Sequence, residues 1–143
     1  MVTVIPYLSF RGQAREALEF YQAALGGELV AMSFSSMPGA MGVEGPEAEW
    51  LMHGMLTVED GQSVAAADMP SQFGEYIAPN GAVMITLVGR GPADLARLQT
   101  VFDKLSAGGT PGVPLELAPW GDHYGQFVDK YGVHWSIDVG PEA

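Results

Sequence analysis

The sequence contains no cysteine and few basic residues. Without cysteine, neither a disulfide nor a thiolate metal site can form, and this composition fits the reducing cytoplasm. Six lysines and arginines face seventeen acidic residues, so the formal net charge is −11. Such a charge repels phosphate backbones and anionic membrane surfaces, which argues against nucleic acids and membranes as partners.

Long apolar runs are also missing. No run approaches the ~20 residues that a helix needs to cross a bilayer, and the segment 1–6 shows no signal-peptide pattern. Hydrophobic residues make up 48% and charged residues 16% of the chain, which excludes a disordered protein. The length of 143 residues predicts a single domain over 1–143 with a packed core.

Two segments of the chain repeat one order of features. An apolar strand from Val4 is followed by Arg-Gly-x-Ala at 11–14, by a helix with an apolar stripe, and by Gly26-Gly27. A second strand from Val83 is followed by Arg-Gly-x-Ala at 90–93, another striped helix and a second Gly-Gly pair at 108–109. A three-residue insertion in the second helix reconciles the spacings, so the order indicates an internal repeat.

Each predicted helix is followed by predicted strands. They cover 28–34, 51–58 and 62–67 in the first half, and 115–117, 126–129 and 133–139 in the second half. The Asp60-Gly61 pair is typical of a tight hairpin turn. The sequence therefore predicts an α+β fold of two tandem βαβββ modules, at about 1–68 and 81–143. A mobile loop is expected over 35–49 and a linker over 69–80.

Motifs at both ends resemble one family. Phe20-Tyr21 followed by Leu25-Gly26-Gly27, and later Trp120-Gly121, Gly125 and the segment 128–135, resemble PhnB-like proteins. These belong to the vicinal-oxygen-chelate superfamily of glyoxalases, bleomycin-resistance proteins and extradiol dioxygenases. The resemblance implies that the modules form a cup-shaped, mostly antiparallel half-barrel in a homodimer. Some relatives carry a methyltransferase label, but no glycine-rich turn suited to such a cofactor joins a strand to a helix here.

The resemblance also implies where a metal would bind. Metal-dependent members use four ligands, usually His and Glu or Gln, from the first and last strands of each module. The corresponding positions here are Pro6, a residue within 83–85, Ala65 and Ser136. These residue types cannot assemble a tight divalent site, so no metal and no other cofactor is predicted.

Five residues are candidates for ligand binding: His53, Asp68, Trp120, Tyr124 and Trp135. His53 is either a pocket acid, base or hydrogen-bond donor, or a partly buried histidine bonded to backbone. Asp68 is either a pocket carboxylate or a strand-end residue that binds backbone amides. The three aromatic residues form a wall for a planar ligand, or belong to the core or a dimer contact.

The remaining two histidines are weaker candidates. His123 lies in a predicted loop, 120–124, which is either a lid or solvated. His134 alternates with Val133 and Trp135 and is expected at the surface.

The preferred functional hypothesis is a small-molecule-binding protein whose cup holds an apolar or aromatic ligand without metal. The alternative is a metal-dependent isomerase, lyase or dioxygenase of the same superfamily. A third hypothesis is an interaction protein whose cup is filled by its own side chains.

Overall fold

The computed structural model describes all residues, 1–143, and divides into two compact units, Met1–Ala78 and Pro79–Ala143. Each unit contains one α-helix and one four-stranded sheet. The first unit comprises β1 (Tyr7–Phe10), α1 (Ala14–Leu25), β2 (Glu28–Ser33), β3 (Leu51–Thr57) and β4 (Ser63–Asp68). The second comprises β5 (Met84–Arg90), α2 (Gly91–Ser106), β6 (Thr110–Leu117), β7 (His123–Val128) and β8 (His134–Gly140). The prediction of two tandem βαβββ modules is confirmed.

The two sheets share one topology. Their strand orders are β1-β4-β3-β2 and β5-β8-β7-β6, and only the first neighbouring pair in each is parallel. The registers correspond as well, because Gly54 pairs with Ala66 in the first sheet and Gly125 pairs with Ile137 in the second. Each module is thus a mostly antiparallel sheet with the same internal pairing.

The repeated Gly-Gly pairs have a steric cause. A Cβ atom on Gly27 would lie 2.3 Å from the carbonyl oxygen of Thr57, and one on Gly109 would lie 2.1 Å from that of Val128. Both distances are far below van der Waals contact. The chain leaving each helix therefore passes so close to a neighbouring strand that only glycine fits.

Each helix covers one face of its own sheet. In the first module, α1 buries five side chains, namely those of Ala14, Ala17, Leu18, Tyr21 and Leu25. Leu18 packs directly over Gly54, where an added Cβ would lie 2.5 Å from its Cδ1 atom. Glycine at this place in β3 lets the helix approach the sheet closely.

Two strand boundaries differ from the prediction for reasons involving proline. β1 begins at Tyr7 rather than Val4, although the carbonyl of Pro6 still accepts a hydrogen bond of 3.0 Å from the Ala65 N–H. β6 runs over Thr110–Leu117, whereas only 115–117 was predicted. Pro111 and Pro114 argue against a strand in the sequence, because proline is unfavourable inside a sheet. Both are tolerated here because β6 is an edge strand with an irregular register.

The segment predicted as a mobile loop contains local structure. Three short 3-10 turns cover Phe34–Ser36, Pro38–Gly42 and Gly45–Glu49. Phe34, which was assigned to a strand, is the first residue of these turns and is buried. The predicted linker also contains a short turn, Ser71–Phe73.

Candidate functional site

One face of the first sheet is turned away from α1. Gly54 faces the helix, and side chains alternate along a strand, so the neighbours of Gly54 point to the other side. We call this other side the first-module face. It comprises Tyr7, Ser9, Val30, Met32, His53, Met55, Ala65 and Ala67. Tyr7 is 51% exposed and Val30 is 59% exposed, so the face is accessible in the chain.

The centre of the first-module face is a floor of small side chains. Ala65 and Ala67 lie on β4, which is the strand between β1 and β3. Ala65 is fully buried, whereas Ala67 is partly exposed, so the accessible part of this floor lies at Ala67. Met55 on β3 and Met32 on β2 form the border of this face, each partly exposed. Methionine adapts to varied apolar shapes, so the border suits an apolar ligand.

A hydrogen bond spans this floor. The Tyr7 hydroxyl lies 2.8 Å from Nδ1 of His53, and the two ring centroids are 5.7 Å apart. The two residues are on strands separated by β4, so their backbones are roughly 10 Å apart. The bond can form because β4 places only alanines between them. Burial raises the pKa of Tyr7, so its hydroxyl stays protonated at neutral pH.

Asp68 lies on the opposite, helix-covered side of this sheet. Its Oδ1 atom accepts hydrogen bonds from the N–H groups of Gly12 at 2.8 Å and Ala14 at 3.0 Å. Its Oδ2 atom accepts one from the Leu51 N–H at 2.9 Å. The carboxylate therefore caps the start of α1 and fixes the start of β3. Of the two roles left open by the sequence, the structure shows the binding of backbone amides.

The equivalent face of the second sheet is more polar. We call it the second-module face, and it comprises Met84, Thr86, Val88, Tyr124, Gln126, Val128, His134, Ser136 and Asp138. Thr86 and Ser136 are joined by a hydroxyl–hydroxyl hydrogen bond of 2.7 Å. The Tyr124 hydroxyl donates to Oε1 of Gln126 at 2.9 Å. By register, Tyr124 occupies the position that His53 occupies in the first module, because each directly precedes the matched glycine.

An acidic pair lies at the end of the second-module face. Burial raises the pKa of Asp138, and a hydrogen bond to Asp122 and the negative charge of Asp122 raise it further. The Oδ1 atom of Asp138 is buried and has no hydrogen-bond partner. Two carboxyl groups that share one hydrogen bond favour the state in which one of them is protonated.

The three aromatic candidates lie in different environments. Trp120 is 64% exposed and packs edge-on against Tyr124, with ring centroids 5.8 Å apart. Trp135 is fully buried on the helix side of the second sheet, where its indole N–H donates to Oδ2 of Asp129 at 2.8 Å. Trp135 is a core residue, which is one of the roles the sequence left open, and the chain exposes none of its surface to a ligand.

The placement of His123 in a loop was wrong. His123 is the first residue of β7 and pairs with Leu117 and Val139. It borders an open groove of about 480 Å³ between α2 and β6, on the helix side of the second sheet. His134 is partly exposed on the second-module face.

The residues at the implied metal positions do not fit a divalent ion. Ala65 has no donor atom, and the Ser136 hydroxyl is bonded to Thr86. Over the whole chain, no three His, Asp or Glu side chains form a group that could hold a metal. A tight divalent site needs three or four converging ligands, so no step through a metal follows from these residues.

Tyr7 was missed by sequence reasoning. It stands in an apolar strand, and its polar partner is 46 residues away in the chain. The signal that could have found it is the Ala65-Ala66-Ala67 run, whose small side chains let side chains on the two neighbouring strands meet.

Comparison with known proteins extends these observations. A family described as 3-demethylubiquinone-9 3-methyltransferase matches residues 2–138. Protein YjdN of Escherichia coli K12 is 28% identical over 144 aligned positions, which cover 94% of this chain and 92% of that protein. Protein PA1353 from Pseudomonas aeruginosa has a similar crystal structure, with a TM-score of 0.82, 30% identity, and coverage of 99% of this chain and 100% of that one. The PhnB protein from Bacillus cereus has a TM-score of 0.73 and 25% identity, covering 97% of this chain and 100% of that one.

Proposed function

Because the chain belongs to the family described as 3-demethylubiquinone-9 3-methyltransferase, the PhnB-like branch of the glyoxalase, bleomycin-resistance and dioxygenase superfamily, we propose that it binds a small apolar or aromatic molecule without a metal. The observation that carries this proposal is the first-module face. Its exposed Ala67, its methionine border, the Tyr7–His53 pair and the Ser9 hydroxyl combine apolar surface with a few polar groups. Small-molecule sites are largely apolar and use a few polar groups to orient the ligand.

The family description names methyl transfer, which the geometry does not favour. A nucleotide-type cofactor is usually held by free backbone N–H groups at the first strand–helix turn of a parallel sheet. Here the N–H groups of Gly12 and Ala14 at that turn are bound by Asp68, and the sheet is mixed. We therefore propose binding rather than methyl transfer.

Of the five residues predicted to bind the ligand, His53 is the one we place on the first-module face. Tyr124 with Trp120 is proposed as a separate ligand contact within the second module, where Tyr124 occupies the position equivalent to His53. Asp68 and Trp135 support the site indirectly, because they fix α1 and the second core. No helix of the structure is long and apolar enough to cross a membrane.

We also propose that the protein is a homodimer. Several large apolar side chains are exposed in the single chain, and each sheet ends in unpaired edge strands that favour cover by a partner. The most exposed of these side chains on strands are Val88 at 73%, Leu117 at 65% and Val30 at 59%. Light scattering at micromolar concentration should give twice the chain mass, and a monomer would contradict the proposal. The cytoplasmic location and the single-domain organisation remain predictions.

Ligand binding is tested with ethylbenzene as an apolar aromatic probe. Protein labelled with ¹³C at the methionine methyl groups is titrated, and the signals are assigned with Met32→Leu and Met55→Leu. We expect saturable shifts of the Met32 and Met55 methyl groups, while Met1, which is fully exposed at the N-terminus, serves as the internal control. Uniformly small, unsaturated shifts at all eight methionines would refute the proposed site.

A further inference from the structure

The Tyr7–His53 hydrogen bond leaves one nitrogen of the histidine unengaged. Nδ1 faces the Tyr7 hydroxyl at 2.8 Å, whereas Nε2 has no hydrogen-bond partner in the chain. The ring is only partly exposed and lies on the first-module face. Nε2 and the hydroxyl of Ser9, which pairs with Ala67, are therefore the polar groups available to a ligand lying over Ala67.

The chemistry of the pair favours one direction for this bond. A phenol is a good donor and its oxygen a weak acceptor, whereas the unprotonated nitrogen of a neutral imidazole is a strong acceptor. The Tyr7 hydroxyl remains protonated, because burial disfavours the phenolate. Donation from Tyr7 to Nδ1 is therefore the favoured arrangement, and in neutral His53 it places the proton on Nε2.

We infer that Tyr7 is a positioning residue that holds His53 with its Nε2–H directed at the ligand, and that the ligand carries a neutral acceptor oxygen such as a ketone carbonyl. This inference rests on the proposed function and names its ligand class. In neutral His53 the Nε2–H group can only donate, so it selects an acceptor. None of the eight residues of the first-module face is a lysine or arginine that could pair with a carboxylate or phosphate, which favours a neutral acceptor.

The orientation of the ring can be tested without any ligand. Long-range ¹H–¹⁵N spectra of the imidazole, recorded at a pH high enough to keep the ring neutral, report which nitrogen is protonated. We expect wild-type His53 to show two well-separated nitrogen shifts, with Nδ1 unprotonated. In Tyr7→Phe the two shifts should move toward each other as the second tautomer becomes populated. Tyr76→Phe, which removes a hydroxyl from the same module, should leave them unchanged.

Ligand selection is tested with acetophenone and ethylbenzene, which have similar shapes but differ by a carbonyl oxygen. Both are titrated against the Met32 and Met55 methyl signals. One hydrogen bond to a carbonyl changes affinity by about threefold to tenfold. Tyr7→Phe leaves part of the His53 population able to donate, so we expect the ratio of the two dissociation constants to shift against acetophenone by up to that factor. Tyr76→Phe should leave the ratio unchanged.

The outcomes separate the inference from the proposed function. If ethylbenzene binds and Tyr7→Phe leaves the ratio unchanged, Tyr7 has no positioning role and the inference is overturned. If acetophenone fails to bind where ethylbenzene does, the acceptor class is wrong. If neither probe shifts Met32 or Met55, the proposed function fails, whatever the imidazole spectra show. An Nδ1-protonated His53 in the wild-type spectra would overturn the inference alone.

Discussion

At the scale of single residues, two buried aspartates organise the modules. Asp68 binds three backbone N–H groups in the first module, and Asp129 binds the N–H groups of Tyr131 and Val133 together with the indole of Trp135 in the second. Both carboxylates replace hydrogen bonds that the turns and helix ends cannot make for themselves. These two aspartates therefore stabilise the turns and strands that carry the candidate ligand-binding side chains.

Replacing Asp68 with asparagine should destabilise the protein. Asparagine has one oxygen acceptor where aspartate has two, and its NH₂ group faces a backbone N–H that the carboxylate accepts in the wild type. At least one of the three backbone N–H donors therefore loses its acceptor. We expect a loss of about 1–3 kcal/mol in the free energy of unfolding, measured by urea denaturation. Glu75→Gln, which neutralises an exposed carboxylate of the same module, is the matched control and should change stability little. Equal effects of both substitutions would show that Asp68 has no capping role.

The Asp122–Asp138 pair should make stability depend on pH. The pKa of Asp138 is raised in the folded state, so the folded chain binds a proton at pH values where the unfolded chain has already lost it. The stability that this carboxyl group contributes is therefore greatest at pH values below its pKa in the unfolded chain. It is lost as the pH rises through its pKa in the folded protein. Asp138→Asn should gain stability relative to wild type at pH 7, and gain less at pH 4.

Urea denaturation at both pH values measures this difference. Asp103→Asn, on the exposed side of α2, is the control and should leave the pH dependence unchanged. If Asp138→Asn also leaves it unchanged, the carboxyl pair does not share a proton in the folded protein.

At the scale of secondary-structure elements, the repeat was the most informative sequence pattern. Both Arg-Gly-x-Ala segments lead into the first turn of a helix, and both Gly-Gly pairs end where a strand carbonyl leaves no room for a Cβ atom. Only glycine meets this need, so the pairs are visible in the sequence although the opposing carbonyls are distant in the chain. Strand β6 was largely missed because its prolines are acceptable only at a sheet edge, and the edge is a property of the folded sheet.

The site was less predictable than the fold. His53 was identified because an imidazole on a strand is chemically conspicuous. Tyr7 was not, since it becomes a partner of His53 only once β4 is inserted between their strands. Asp68 was named as a candidate from its place at a strand end and Trp135 from its aromatic ring, and their orientation toward the helix side depends on a register that the sequence did not reveal.

Two adjacent alanines of β4 should respond differently to enlargement. Ala66 faces α1 and is fully buried, so Ala66→Leu should overpack the core and cost about 1–3 kcal/mol of stability. Ala67 is partly exposed on the first-module face, so Ala67→Leu should leave stability nearly unchanged and fill the space above the floor.

The binding readout separates these two faces. Ethylbenzene binding, followed at the methionine methyl signals, should weaken about tenfold or more in Ala67→Leu, because the added isobutyl volume occupies the place of the ring. Unchanged binding in Ala67→Leu would show that the ligand does not lie over the alanine floor.

At the scale of the whole molecule, the two modules combine one fold with different surface chemistry. The floor positions that are Ala65 and Ala67 in the first module are Ser136 and Asp138 in the second. Both modules keep the same strand order and pairing, while the first-module face is mostly apolar and the second-module face is more polar. Of these four residues only Asp138 is a typical metal ligand, and no three His, Asp or Glu side chains of the chain converge, which supports the proposal of ligand binding over metal-dependent chemistry.

The most direct test of this claim is an ethylbenzene titration of chelator-treated protein, with and without one equivalent of Zn²⁺, followed at the Met32 and Met55 methyl signals. We expect the same saturable shifts in both samples, because the first-module face needs no metal to be complete. Shifts that appear only after Zn²⁺ is added, and that are lost in His53→Ala, would contradict the claim and favour the metal-dependent alternative.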